Sequence, residues 1–342
     1  MRFAAIFTGF CAIGLALACS SSSPDSSPGT SSDAGPDAAE TGTGPTTCNG
    51  HAELCGRAYT AVAFPGDHDS YATVPDGFIA ADQDRTVAQQ LAGGVRVLHL
   101  EMQLHQGDAY LCHASCSLGN KLLSDELSTV AAFMNANPTE VVTLLMESQN
   151  LTTDQIAAAF DSTGLTSMAH QQPAGTPWST LGDMIQKGDH LVVFLADLTS
   201  TGGTSFPWML DRFARTWETP WNNKTPQDFA RCDADRGTKG NDIYVVDTYR
   251  EDTPVASTDQ AMTVNPNPFL IDRLMTCKTT ENTLPNFVMV NFYEIGDAMK
   301  DVDILNGIQP DPGEDLSQFP PQNWPGTDAG PADAGDDASD GG

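Results

Sequence analysis

The chain has 342 residues, with 45 acidic against 16 basic side chains and a formal net charge of −29 at pH 7. Nucleic acid binding needs clustered Lys and Arg against the phosphates, so this charge argues against nucleic acid as a partner. It also disfavours tight docking on an anionic lipid surface.

Residues 1–18 have the composition of a secretory signal peptide. One basic residue, Arg2, precedes an apolar run that ends at Ala18 and is shorter than the roughly 20 residues needed to cross a bilayer. The small residues before Cys19 resemble the lipobox of bacterial lipoproteins, whose cysteine becomes a lipidated N-terminus. The resemblance implies an exported lipoprotein anchored at Cys19, and Ser20 favours the outer membrane or cell surface. A plain secretory signal is the alternative.

Two low-complexity segments flank a central region. Residues 19–47 are mostly Ser, Pro, Gly, Ala, Thr and Asp, and residues 309–342 are similar, with acidic but no basic side chains. Such segments cannot bury enough apolar surface to offset the entropy lost on ordering. We expect a lipid-anchored linker at 19–47, a disordered acidic tail at 309–342, and one domain at 48–308.

Six cysteines lie in the central region. An even number in an exported chain indicates disulfides, although six cysteines allow fifteen pairings. Closeness in sequence favours Cys48 with Cys55 and Cys112 with Cys116, which leaves Cys232 with Cys277. A zinc site is the competing interpretation, but the spacings lack paired C-x-x-C units.

Apolar, β-rich runs alternate with helical stretches, as expected of parallel strands joined by crossover helices. We predict strands at Thr60–Phe64, Val95–Met102, Ala109–His113, Val141–Met146, Leu191–Leu195, Ile243–Val246 and Phe287–Phe292. We predict helices at Asp84–Ala92, Ser124–Ala136, Thr153–Phe160, Thr180–Gln186 and Asp259–Met275. This pattern over roughly 260 residues favours one α/β domain, a TIM-like (β/α)8 barrel with irregularities.

Polar side chains collect where the predicted strands end, which is where such barrels carry their chemistry. They are His68 and Asp69 after the first strand, His99 and Glu101 on one face of the second, His113 at the end of the third, and Glu147 after the fourth. Any one of them alone is more often a solvated loop residue. Their joint occurrence favours a catalytic site.

Two successive segments, Ala63–Tyr71 and Gln89–Leu98, resemble the opening of the phosphatidylinositol-specific phospholipase C X-domain superfamily. Its usual form is a Gly-x-His-(Asn or Asp)-Ser-Tyr turn followed by a Gln-Leu-x-x-Gly-(Val or Ile)-Arg helix and strand. Weaker likeness to the secreted branch of fungi, plants and bacteria extends to about residue 306 and includes Leu111–His113, Asn137–Val142 and Trp217–Pro220. The resemblance implies a barrel phosphodiesterase.

By this resemblance His68 is the general base and His113 the general acid. Cutting a phosphodiester with a neighbouring hydroxyl requires that hydroxyl to lose a proton while the leaving oxygen gains one. Imidazole titrates near neutrality and can do either, for roughly 100- to 10,000-fold in rate per transfer. In the family the attacking group is the substrate's own 2-hydroxyl, which gives a cyclic phosphate and a released alcohol such as diacylglycerol.

Phosphoryl oxygens also need a cation. Asp69, Glu101 and Glu147 fall where calcium-dependent family members carry ligands, and carboxylate oxygens suit Ca²⁺. His99 replaces a carboxylate found there. The resemblance therefore implies a calcium site at Asp69, Glu101 and Glu147.

The resemblance implies a lipid or inositol-containing phosphodiester as the partner, and we expect the protein to be a monomer. Arg250 is the main basic residue near the predicted strand ends, so extra phosphates on the substrate would lack partners. Asp69 is a candidate to orient His113, while Asp247 and Glu294 are candidates to orient His68.

Two other functions stay open. A glycerophosphodiester-type phosphodiesterase also uses a barrel with a histidine after its first strand, but Arg-Gly usually follows that histidine, whereas Asp69 and Ser70 follow it here. A surface binding lipoprotein could keep the barrel without catalysis, and His99 and the acidic composition favour it.

Overall fold

The computed structural model of the protein describes residues 44–196, 198, 204–225 and 227–308. The predicted signal peptide at 1–18, the anchor Cys19, the linker up to residue 43 and the tail at 309–342 lie outside these residues. None of the described helices combines the length and apolar character that a bilayer crossing requires.

In the described part of the chain, eleven strands form one curled sheet. They are β1 Phe64–Asp67, β2 Val97–His105, β3 Asp108–Leu111, β4 Lys121–Leu122, β5 Val142–Gln149, β6 Leu191–Leu195, β7 Met209–Asp211, β8 Thr216–Glu218, β9 Arg236–Gly237, β10 Ile243–Asp247 and β11 Phe287–Val290. Parallel pairings give the order β7-β6-β5-β2-β1-β11-β10-β8, and β9 lies antiparallel on β8. This arrangement confirms the predicted TIM-like barrel. Its irregularity lies between β7 and β8, where the described backbones do not pair.

Eight α-helices accompany these strands in the described residues. They are α1 Val87–Ala92, α2 Leu123–Ala136, α3 Thr153–Thr163, α4 Leu181–Lys187, α5 Arg212–Arg215, α6 Thr258–Val264, α7 Phe269–Glu281 and α8 Ala298–Leu305. Helices α1, α3 and α6 each begin with a capping box that satisfies free N–H groups at the helix start. The predicted helix Asp259–Met275 is wrong as one element, because Pro266 and Pro268 interrupt it between α6 and α7.

The predicted third strand, Ala109–His113, is not a strand of the barrel. The observed β3 pairs antiparallel with β2 through a turn at Gln106 and Gly107. Their φ angles of +51° and +96° are the left-handed values that a two-residue hairpin turn favours. His113 therefore reaches the barrel mouth on the segment that returns from this hairpin.

Side chains that point into the barrel recur at every second residue of each strand. Apolar residues fill the lower levels: Phe64, Val97, Leu145, Val192, Phe194, Ile243, Val245, Phe287 and Met289. Gly66 lies among them because a Cβ there would be 2.5 Å from Met289 Sδ and 2.9 Å from Val97 Cβ. Polar residues occupy the inward positions that follow towards the carboxyl ends: His68, His99, Glu101, Glu147, Asp247 and Asn291.

Three disulfides confirm the pairing predicted from closeness in sequence: Cys48–Cys55, Cys112–Cys116 and Cys232–Cys277. The zinc interpretation is wrong, because these sulfurs are bonded to one another. The bridge between Cys112 and Cys116 closes a short loop that contains His113.

Candidate active site

A polar cleft of about 530 Å³ opens at the carboxyl ends of the parallel strands. Its walls are formed by His68, His99, Glu101, Glu147, Arg212, Trp221, Arg236, Asp247, Tyr249 and Met289. His113 and Asp69 adjoin it through their contacts with one another and with His68. The fold thus brings all five predicted site residues to one end of the barrel.

Asp69 lies at the centre of three imidazoles. Its Oδ1 is 3.0 Å from His99 Nδ1, while its Oδ2 is 3.4 Å from His113 Nε2 and 3.7 Å from His68 Nε2. Burial alone would raise the pKa of Asp69, but the three histidines, His68 first, hold that pKa well below its usual value. A charged carboxylate therefore faces both predicted catalytic histidines with a single oxygen.

His68 is held by an amide and an aromatic ring. Its Nδ1 is 3.1 Å from Asn291 Oδ1, and its ring stacks on Tyr249 with centroids 3.9 Å apart. An amide oxygen only accepts hydrogen bonds, so Nδ1 carries the proton and the Nε2 lone pair faces Asp69. Burial lowers the pKa of His68 to about 4. The ring therefore stays neutral near pH 7, as a general base requires.

His113 has the opposite surroundings. Its Nδ1 donates to the Ala80 carbonyl at 2.6 Å and lies 3.2 Å from Asp82 Oδ2. Burial alone would lower the pKa of His113, but Asp69 and then Asp82 outweigh it and raise the pKa to about 9. The ring therefore stays protonated near pH 7, as a general acid requires.

Glu147 lies in a buried ion network. Its Oε1 is 2.6 Å from Arg212 Nη1, 3.3 Å from Arg236 Nη1 and 3.4 Å from His99 Nε2. Glu218 accepts from the same arginines, from Arg212 Nε at 2.7 Å and Arg236 Nη2 at 2.7 Å. Burial alone would raise the pKa of Glu147, but His99 and Arg212 hold it well below its usual value.

Among the described residues, the oxygens of Asp69, Glu101 and Glu147 do not gather tightly enough to share one ion. The groups whose ligand atoms lie within 4.8 Å of one another combine Asp69 with two histidines, or with Asp82 and His113. Calcium takes six to eight oxygen ligands, and Glu147 already faces two guanidinium groups. Burial, and then Asp69, also raise the pKa of Glu101 to about 7. As the structure places them, these three residues do not fit the expected calcium site.

Several residues of the site were missed by sequence reasoning. Arg212 and Arg236 lie on or beside the short strands β7 to β9, which no periodic pattern marks. Arg250, the expected cation, instead pairs with Asp252 at 2.5 Å. Glu218 was one indication of a site in the sequence, because it is the one charged residue in the stretch 216–223.

The residue that orients His68 was also missed. Asn291 contacts it, whereas Asp247 forms part of the cleft wall and Glu294 makes no described contact with His68. Asp247 Oδ2 is buried without a hydrogen-bond partner in the described structure. Burial, and then Glu218, raise the pKa of Asp247 to about 7. Asp247 is therefore available to a ligand in the cleft.

Comparison with known proteins adds sequence relatives and structural neighbours. Residues 54–306 match the family model described as PI-PLC X 1. The chain is 29% identical over 287 residues to PI-PLC X domain-containing protein 1 of Arthroderma benhamiae, covering 76% of this chain and 90% of that protein. It is 30% identical over 276 residues to an uncharacterized secreted protein of the same fungus, covering 73% of this chain and 61% of that protein.

Two solved structures share the fold. The phosphatidylinositol-specific phospholipase C of Listeria monocytogenes superposes with a TM-score of 0.53 at 14% identity, covering 75% of this chain and 96% of that chain. A structure of the Staphylococcus aureus phosphatidylinositol-specific phospholipase C gives a TM-score of 0.51 at 15% identity, covering 75% of this chain and 95% of that chain. At this identity the structural likeness supports the barrel architecture alone.

Proposed function

Because the chain belongs to the PI-PLC X-domain family, we propose that it cleaves a phosphodiester with His68 as general base and His113 as general acid. The observation that carries this proposal is that the Nε2 atoms of both rings face one oxygen of Asp69 at the barrel mouth. Two proton-transfer groups can then reach one phosphate group from a common cleft.

In the proposed reaction, His68 Nε2 takes the proton of a hydroxyl on the substrate, and that oxygen attacks phosphorus. His113 Nε2 gives its proton to the leaving oxygen, so that a cyclic phosphate forms and an alcohol departs. Asp69 favours the imidazolium that develops on His68 and keeps His113 aimed at the same place. The charge on the phosphoryl oxygens meets Arg212 and Arg236, which line the cleft.

We propose an inositol-containing monophosphate diester as the substrate. Tyr249 and Trp221 offer aromatic faces in the cleft, and Asp247 offers a buried, unpartnered oxygen to a ring hydroxyl. Arg212 and Arg236 are already shared with carboxylates, so further phosphates on the ring would find few free cations in the described cleft. The secreted relative supports export, and we propose a lipid anchor at Cys19.

The test is hydrolysis of a chromogenic inositol phosphodiester by the full chain, with the product followed by ³¹P NMR. We expect a cyclic phosphate. His68→Ala and His113→Ala should each lower kcat by roughly 100- to 10,000-fold. The matched control is His105→Ala, since His105 lies near the tip of the β2–β3 hairpin and should leave turnover and thermal unfolding unchanged.

Three outcomes would count against the proposal. Wild-type turnover retained in either His68→Ala or His113→Ala would remove the assigned pair. Binding of the inositol phosphodiester without turnover would favour a binding lipoprotein. Cleavage of glycerophosphodiesters alone, with no cyclic product, would favour the glycerophosphodiester-type reaction.

A further inference from the structure

A second chain of contacts joins the two catalytic imidazoles on the side away from the cleft. His68 Nδ1 lies 3.1 Å from Asn291 Oδ1, and Asn291 Nδ2 donates to Asp82 Oδ1 at 3.0 Å. The other oxygen of Asp82 is 3.2 Å from His113 Nδ1. With the contacts of Asp69 to both Nε2 atoms, the five side chains form a closed ring.

We propose that Asp82 is a positioning residue that fixes the tautomer of His68 through Asn291 and holds His113 directly. The proposal rests on the function proposed above. It adds a group that touches no substrate and acts through two residues that do.

The direction of the Asn291 amide carries the argument. A charged carboxylate accepts hydrogen bonds and cannot donate them, so Asp82 selects the amide nitrogen of Asn291. The amide oxygen must then face His68, which places the proton on Nδ1 and leaves Nε2 free. Without Asp82, the two ends of the amide would be nearly equivalent, and the reversed amide would move the His68 proton to Nε2.

Hydrogen bonds to the backbone of Asp82 and Asn291 hold this ring of five side chains in place. Asp82 N donates to the Ala72 carbonyl at 2.9 Å, and Phe292 N donates to the Asp82 carbonyl at 3.1 Å. Asn265 Nδ2 donates to the Asn291 carbonyl at 2.7 Å. Asp82 and Asn291 are 2% and 5% exposed, so water cannot readily replace either partner.

The Asp82 carboxylate also lies beside His113, the proposed general acid. The Ala80 carbonyl only accepts, so His113 Nδ1 carries a proton and donates it to Ala80, with Asp82 Oδ2 3.2 Å from the same nitrogen. Burial, and then Asp69, raise the pKa of Asp82, but its Oδ1 accepts from Asn291 Nδ2 and its Oδ2 lies 3.2 Å from the protonated His113 Nδ1. The proton of this buried pair therefore lies on His113, in line with the raised pKa of that ring.

A swap of the two side chains tests the proposal. In Asp82→Asn, the new side-chain amide nitrogen at position 82 must face either Asn291 Nδ2 or His113 Nδ1. Both of these atoms are hydrogen-bond donors, so either contact is unfavourable. In Asn291→Asp, two carboxylates face each other. The double variant Asp82→Asn/Asn291→Asp restores every donor–acceptor pair, with the new amide nitrogen donating to position 291 and its oxygen accepting from His113.

Two readouts are needed, kcat and KM for the inositol phosphodiester and the imidazole ¹⁵N NMR shifts of His68. We expect Asp82→Asn to lower kcat by about 100-fold, with KM changed far less, and to move the His68 proton to Nε2. The double variant should recover at least about tenfold in kcat and return the proton to Nδ1. Asp84→Asn, the same substitution two residues along, should match the wild type in both readouts.

Wild-type kcat and an Nδ1-protonated His68 in Asp82→Asn would overturn the proposal, as would a double variant no better than either single one. Should Asp82→Asn fail to fold, Asn291→Ala removes the amide alone and should give a mixture of His68 tautomers. A pure Nδ1 form there would also overturn the proposal. The NMR readout needs no substrate, so it still decides the point if the wild type cleaves no phosphodiester.

Discussion

Single residues show how one buried site can hold two histidines in opposite states. His68 is neutral because burial lowers its pKa to about 4, whereas Asp69 and Asp82 raise that of His113 to about 9 against the effect of burial. The two rings share the Asp69 carboxylate, so the difference in pKa arises from the deeper burial of His68 and from the second carboxylate, Asp82, beside His113.

The first prediction concerns the pH dependence of the proposed reaction. The base works only when His68 has lost its proton, above about pH 4, and the acid only while His113 keeps its proton, below about pH 9. We expect kcat/KM to be bell-shaped with a broad plateau between those limits. Rates measured across this range check it, and a narrow optimum centred near the ordinary imidazole pKa of about 6.5 would contradict it.

The second prediction concerns metal removal. Glu147 is held by Arg212, Arg236 and His99, so guanidinium groups of the chain already supply positive charge to this cleft. We expect exhaustive chelation to change the rate of hydrolysis by less than about twofold. Removing an ion that stabilised the transition state by about 1.4 kcal/mol would instead lower the rate roughly tenfold. Loss of turnover with EGTA and its recovery on adding Ca²⁺ would instead support the site at Asp69, Glu101 and Glu147.

Part of the site could be predicted from the sequence because it is local. His68 and Asp69 are adjacent in a recognisable turn, and the alternation of His99 with Glu101 places both on one strand face. Asn291 and Arg212 could not be assigned in this way. Each becomes a site residue only through a partner distant in sequence, Asp82 for the first and Glu147 for the second.

Among the elements, β7, α5 and β8 form the irregular part of the barrel. The described backbones of β7 and β8 do not pair, and α5 is only four residues long. Side chains connect this region instead, because Arg212 on α5 reaches both Glu218 on β8 and Glu147 on β5. Ionic contacts therefore replace backbone hydrogen bonds at this place.

The third prediction tests that role by comparing two arginines of the same helix. Arg212 is 2% exposed, so Arg212→Met leaves buried carboxylates short of a partner and should lower the free energy of unfolding by about 3 kcal/mol. Arg215 pairs with the exposed Asp242, so Arg215→Met should cost less than about 1 kcal/mol. Denaturant titration of both variants measures the difference, and equal losses would refute the special role of Arg212.

The long elements of the fold could be predicted because their patterns are long. Leu191–Leu195 agrees at both ends with the observed β6, and Ser124–Ala136 differs from α2 by one residue. The first strand begins at Phe64 rather than Thr60, since Tyr59–Ala61 forms a 3₁₀ turn. Strands β7 and β8 have three residues each, too few for any period to show.

For the whole molecule, the net charge argues against electrostatic attraction as the means of membrane attachment. A net charge of −29 disfavours an anionic leaflet, so stable attachment would need a covalent lipid.

The fourth prediction follows from this charge. In a bacterial host, Cys19→Ser should move the protein from the membrane fraction to the soluble fraction and abolish labelling by a fatty acid analogue. Cys11→Ser lies within the predicted signal peptide and should keep both. A Cys19→Ser protein that still sediments with membranes would show that another part of the chain provides the attachment.

The bridge between Cys112 and Cys116 has a consequence for where the protein can work. It spans the residue that supplies the acid proton in the proposed reaction, and such a bond persists only where the surroundings are oxidising. In a cytosol rich in glutathione the two thiols would stand apart, and the segment with His113 would lose its covalent tie. The protein would then become fully active only after export. Phosphodiesters inside the cell that makes it would therefore escape cleavage.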